Sequence, residues 1–278
     1  MIGACLLFAT LQACVSDLEI KAPATDERYI IEGWIERGGF AHVMVSRSLP
    51  YNTTVGTADL FDLLVQDAQV TVKCENQEEQ LLLVQDTMYT ILPIYRGYQI
   101  RGETGKAYTL EVKIADRVYT ATDTLLNPIP PDSLWFSAEA LNDSLGYIHI
   151  RLKDPPSIGN YYRIFTKRLG IDIDYNGISV GVLDDHLFNG STFSFPLIRS
   201  GPSTKTKDKH FFRKGQRVVV KTAVITSRYF YFLSKVSNEM GETMSPLSFQ
   251  APTVTLMSGG ALGGWGCYAT VNDTLEIK

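Results

Sequence analysis

Tyr29-Ile30-Ile31-Glu32-Gly33-Trp34-Ile35 alternates along its length and is rich in β-branched and aromatic residues. Successive side chains of a strand point to opposite faces, and such residues suit a pleated, half-buried surface. The stretch reads as a β-strand. Outward from it, Gly38-Gly39 supplies a turn and residues 42–47 run back. The same pattern recurs at 69–74, 80–84, 88–92, 98–101, 108–114 and 117–121. Residues 59–65 read as a short helix or a strand lead-in. Short strands at this spacing, with turn residues between them, predict an antiparallel sandwich.

Asn127-Pro128-Ile129-Pro130-Pro131-Asp132 interrupts the pattern. Prolines cannot donate to a sheet ladder and favour an extended connector. Beyond it, strands are expected at 133–138, 146–152, 161–166 and 217–225, with two more at 265–270 and 273–277. One helix is expected at 227–239, capped by Thr226 or Ser227 and stopped at Gly241. Tyr229, Phe232, Leu233 and Val236 share one face of it and should pack on a sheet. The expected fold is therefore mainly all-β: two β-sandwich domains, at 28–127 and 133–278, joined by a linker at 128–132. The second is expected to be fibronectin- or immunoglobulin-like, with the helix and a Gly-rich tail.

The N-terminus carries a different kind of information. Residues 1–10 are an uncharged apolar run, and Leu11-Gln12-Ala13-Cys14 closes it. A run this short is a signal-peptide core, since a membrane-spanning helix needs ~20 apolar residues. A cysteine directly after a small residue is the pattern of a bacterial lipoprotein processing site. Residues 1–13 are thus read as a signal peptide, Cys14 as the lipidation site and 14–27 as a tether. No Lys or Arg follows Met1, a departure we read as a start assigned downstream of a few basic residues. Ser16-Asp17-Leu18-Glu19 adds an acidic stretch after the cysteine, which points to the cell surface, with the periplasmic face as the alternative.

The 278 residues are 45% hydrophobic and 20% charged, an ordinary globular balance. A net charge of −4 offers no general attraction to nucleic acid, so no nucleic-acid partner is expected. Of the four cysteines, Cys5 leaves with the signal and Cys14 is acylated. Cys74 and Cys267 remain, expected as two unpaired, buried thiols. A bridge between them is the alternative and requires Cα atoms within about 7 Å.

Asp172, Asp174 and Asn176, with Gly177, match the opening of a calcium loop. The bidentate glutamate that should follow is replaced by Leu183, so the favoured reading is a hairpin turning at Asn176-Gly177, and no metal is expected. Asp184-Asp185-His186 reads as a polar turn, because neighbours on a strand face opposite ways. His42, His149 and His210 are scattered, and no nucleophile motif such as GxSxG occurs. Lys205, Lys207, Lys209, His210, Arg213, Lys214 and Arg217 form a basic cluster that reads as a solvated loop, with phosphate or an acidic partner as the functional alternative. The glycines at 259–266 lead into a strand, not a helix, so they read as tight turns or close packing and not as a phosphate loop. Tyr161, Tyr162, Tyr229 and Tyr231 are candidates for a binding face.

The chain resembles the Bacteroidota outer-membrane lipoprotein family known as domain of unknown function 4249. The resemblance rests on 31–35 with the Val-Ser-Arg-Ser return, on 67–72 and on 105–110. It also rests on Asp154-Pro155-Pro156 with Asn160-Tyr161-Tyr162-Arg163, and on 259–268. It implies a two-domain β protein of the outer membrane, often encoded beside TonB-dependent receptors, and it supplies no functional residues. Ala68-Gln69-Val70-Thr71-Val72 and the 105–112 strand are also similar to transthyretin-like or carboxypeptidase-regulatory-like sandwiches, a likeness of fold alone. The expectation is a non-catalytic, lipid-anchored protein without a cofactor, an accessory of a TonB-dependent transport system in the outer membrane. The alternatives are a structural or adhesive surface protein and, third, a hydrolase with an unrecognised site.

Overall fold

In the computed structural model, which describes residues 28–48, 61–85, 92–140, 142–200, 210–240 and 254–278, the opening strand forms where the sequence places it. β1 (Tyr29–Glu36) and β2 (Phe40–Arg47) make an antiparallel hairpin. Gly38 turns it with φ at 75°, a conformation that costs glycine little. β3 (Gln69–Cys74), β4 (Gln77–Gln80), β5 (Leu82–Val84), β6 (Ile94–Arg101), β7 (Ala107–Ile114) and β8 (Arg117–Thr124) follow. The strand expected at 80–84 is thus split. Leu81 turns into the core, so the chain changes sheets there: β4 stays on β3 while β5 joins β6. Of the strand expected at 88–92, only Leu92 lies within the described residues.

The second half contributes β9 (Ser133–Glu139), β10 (Asn142–Lys153), β11 (Tyr161–Arg168), β12 (Asn176–Asp184), β13 (Thr192–Leu197), β14 (Phe212–Arg213) and β15 (Arg217–Ile225). α1 (Ser227–Met240) and β16 (Leu262–Glu276) complete it. Thr226 caps α1, its hydroxyl accepting the Tyr229 N–H at 3.3 Å. The protein is all-β, of sandwich type, with one helix among the described residues. The strands form an 8-stranded sheet in the order β12-β11-β15-β16-β1-β2-β6-β5 and two 4-stranded sheets. One of these is β4-β3-β7-β8; the other is β13-β10-β14, with β9 on β10.

Two cores lie between these layers. Ile31, Ile35 and Val43 meet Val70, Val72, Tyr108 and Leu110 in the first. Ile148, Ile150 and Leu152 meet Ile164, Val218 and Val220 in the second. The expected division at 128–132 does not separate them, because β16 belongs to both. Its first half, from Leu262 to Tyr268, pairs parallel with β1; its second half, from Ala269 to Glu276, pairs antiparallel with β15. What reads as two strands at 265–270 and 273–277 is one 15-residue strand. The cause is its composition: glycines let the first half lie buried on both faces, so no surface turn is required. Trp265 fills the first core from this strand, its indole N–H donating to the Tyr108 carbonyl at 2.9 Å. At ~25 cal/mol per Å², the roughly 200 Å² of an indole makes this burial worth on the order of 5 kcal/mol.

Candidate functional site

The outer face of the shared sheet, at the junction of its two halves, holds a set of enclosed polar groups. Here β1 presents Glu32, β11 presents Arg163 and β16 presents Tyr268. Glu32 and Arg163 are half-buried as whole residues, with their charged ends shut away from water. Gly264 and Gly266 of β16 face the same way and leave a floor without side chains. α1 lies over that floor. A Cβ on Gly264 would meet the Phe232 ring at 2.7 Å, and one on Gly266 would meet the Tyr229 ring at 2.2 Å. Arg163 donates to the Tyr268 hydroxyl, reaching across the small Ala223 that sits opposite it on β15. Tyr268 in turn donates to the Tyr229 hydroxyl at 3.2 Å, which ties sheet to helix. Farther along this face, Lys221 donates to both Glu36 oxygens at 2.8 and 2.9 Å and lies 3.8 Å from the Tyr175 ring centroid.

The electrostatics follow from burial. Loss of water pushes the Glu32 carboxyl up from 4.5 to about 7, with the Arg163 charge pulling the other way. Burial works against the Arg163 charge as well, but Tyr268, Tyr229 and Glu32 around it hold its proton above the ordinary guanidinium value. Burial raises the Tyr229 hydroxyl well above its usual range. Near neutrality the cluster can therefore gain or lose one proton, at Glu32, while Arg163 remains charged.

Other buried carboxylates hold backbone in place. Glu79 of β4 reaches across the first sandwich and accepts three consecutive N–H groups of β6, from Tyr98, Gln99 and Ile100. Asp123 of β8 accepts the Cys267 N–H at 2.7 Å and the Thr226 hydroxyl at 2.8 Å, joining three elements; burial raises its carboxyl. Asp154 accepts the Tyr162 hydroxyl and the Gly190 N–H. Asp185 accepts the Gly159 and Asn160 N–H groups, each at 2.9 Å.

Cys14 and the acidic residues after it lie outside the described residues, as do Lys205, Lys207 and Lys209. The calcium candidates do not converge as a site. Both Asp172 oxygens accept from Arg168, at 2.6 to 3.1 Å, and this holds the carboxyl below its usual range although burial opposes it. Asp174 offers its carbonyl to the Asn176 amide, and Asn176 is already in β12. The hairpin between β11 and β12 turns at 169–175, where Gly170 has φ at 76°, and not at Asn176-Gly177. Asn176 pairs with Thr166 instead, because the Arg168–Asp172 clip closes the turn earlier. Among the described residues no group of three or more His, Cys, Asp or Glu side chains is placed to hold a metal ion.

Asp184, Asp185 and His186 divide as neighbours should, Asp185 buried and the other two exposed. His42 and His149 are far apart, each stacked on a tryptophan, Trp34 and Trp135, with ring centroids 5.2 Å apart. Tyr162 and Tyr229 are core residues, whereas Tyr161 and Tyr231 remain together at the surface with centroids 6.1 Å apart. Cys74 and Cys267 are buried and unpaired within one core. Glu32, Arg163, Glu79 and Asp123 are not readable from the sequence as site residues. Glu32, Arg163 and Asp123 occur in alternating strands, where a charged residue normally marks the solvent face, and Glu79 sits in the all-polar run Gln77–Gln80.

A sheet shared by two sandwiches, with its charges gathered at the covered junction, defines the class: an all-β protein whose interior polar groups join its parts. The chain belongs to the family described as domain of unknown function (DUF4249), which matches residues 15–270. No curated protein matches it.

Proposed function

We propose that this is a non-catalytic, lipid-anchored protein of the Bacteroidota outer membrane, an accessory or binding lipoprotein of a TonB-dependent transport system. The observation that carries the reading is Leu11-Gln12-Ala13-Cys14 after an uncharged apolar run, followed by an acidic stretch. The interior supports it. Glu79, Asp123, Asp154 and Asp185 all accept bonds that hold backbone or loops, the work of a scaffold.

The test has two parts. Cys14→Ala should abolish incorporation of labelled palmitate and release the protein from the membrane fraction; retention with label intact overturns the anchor. The lipidated protein, extracted in mild detergent, should co-purify with a β-barrel receptor. Recovery without that receptor, together with loss of surface attachment but unchanged nutrient uptake on deletion, would instead favour an adhesive role.

A further inference from the structure

Two loops at one end of the second sandwich carry the most exposed aliphatic side chains among the described residues. Ile158 is 88% exposed and Leu187 92% exposed. Their loops are bound to each other. Asp185, on the second, accepts the Gly159 and Asn160 N–H groups of the first, and its own N–H donates to the Asn160 carbonyl at 3.1 Å. Asp154 ties the far side through the Gly190 N–H at 2.9 Å. Two aliphatic tips are therefore held out on a rigid base. Tyr161 and Tyr231, the latter 60% exposed, stand beside them with their hydroxyls paired.

The charge of this end narrows what can meet it. Residues 157–160 and 184–190 contain Asp184, Asp185 and His186 but no Lys or Arg, so attraction to anionic headgroups is not its basis. Aliphatic tips flanked by amphipathic tyrosines suit the boundary between headgroups and acyl chains. The tether end and this end point the same way along the sheet. β1 runs parallel to β16, β16 antiparallel to β15 and β15 antiparallel to β11, so β1 and β11 run the same way. Arg28, where the tether joins, and the Ile158 loop thus both precede the starts of like-directed strands, with the start of β11 level with Glu36 at the end of β1, a rise of about seven residues or ~23 Å from Tyr29. The 13 residues from Val15 to Glu27 span at most ~45 Å when extended, so the anchor can hold this end against the bilayer.

We propose that Ile158 and Leu187 insert into the membrane interface as a second contact beside the lipid on Cys14. The proposal rests on the lipid-anchor reading above and adds an orientation to it. The experiment uses the full lipidated chain in phosphatidylethanolamine/phosphatidylcholine vesicles that contain nitroxide-labelled lipid. A fluorophore is placed on Ile158→Cys, on Leu187→Cys or on the control Ile173→Cys, an exposed position at the opposite end of β11. Palmitate incorporation is measured in each sample. Quenching at 158 and 187 but not at 173, unchanged by adding phosphatidylglycerol, is the expected result. Equal or absent quenching at the three positions, with palmitate present, overturns the insertion and leaves the anchor standing. Absence of palmitate overturns both. Shielding of 158 and 187 only when the receptor is bound would assign the tips to a protein partner and also overturn the proposal.

Discussion

Glu32→Gln isolates the contribution of the enclosed carboxyl at the sheet junction. In the folded chain Glu32 holds its proton to about 7, against an ordinary 4.5. Below 4.5 the carboxyl is protonated in both states and folding incurs no penalty from it. Between 4.5 and about 7 the unfolded chain has released the proton while the folded chain keeps it, so stability falls as pH rises. Above about 7 the group is ionised in both states and the loss is complete. At 1.36 kcal/mol per tenfold change in proton affinity, that loss is ~3 kcal/mol. Glutamine keeps the shape and cannot ionise. Urea unfolding of the two proteins from about pH 4.5 to about pH 8.5 should show the variant gaining ~3 kcal/mol on the parent across that range. Arg163→Met should move the midpoint of the parent's loss upward, because the charge that opposes the rise has gone. A difference between parent and Glu32→Gln that is flat across the range would refute the reasoning, since it would mean that the carboxyl keeps its water.

Gly266→Ala should destabilise by ~1–3 kcal/mol in chemical denaturation, as its Cβ would lie 2.2 Å from the Tyr229 ring. Gly177→Ala meets nothing nearer than 3.9 Å and should change stability by less than ~0.5 kcal/mol. Asp123→Ala should cost ~1–3 kcal/mol by leaving the Cys267 N–H unsatisfied, and Asp123→Asn, which keeps one acceptor, should cost less. Calorimetry should give one unfolding transition, because β16 completes both sandwiches; two well-separated transitions would show that its halves act independently.

The local signals in this sequence are strong and its long-range pairing is not written locally. Alternation in β1, β3 and β7, the apolar run of β15 and helical spacing in α1 come from neighbours in the chain, and those elements form where the pattern puts them. The hairpin after β11 turns earlier than expected. Asn176-Gly177 is a good turn pair, yet the side chain of Asp172 closes the chain around Gly170 first. The proline-rich stretch suggests a boundary, but no local pattern can announce that a strand more than 130 residues later will pair with β1 across it. The junction cluster is unreadable for the same reason. Glu32 looks like a solvent-facing residue until α1 is placed over the glycines beside it.

Those glycines explain why the junction exists at all. Gly264 and Gly266 face outward on β16 and Trp265 and Cys267 face inward, so one strand admits a helix on one side and a core on the other. A strand buried on both faces leaves its polar neighbours without water; Arg163 answers by donating to Tyr268, and its charge opposes the rise of the Glu32 carboxyl. Asp123 answers in the same way by taking up a backbone N–H of the strand. The enclosed charge at the junction is therefore a consequence of sharing β16. The exposed loop tips at Ile158 and Leu187 lie apart from it, bonded through Asp185 and Asp154 and not through the junction.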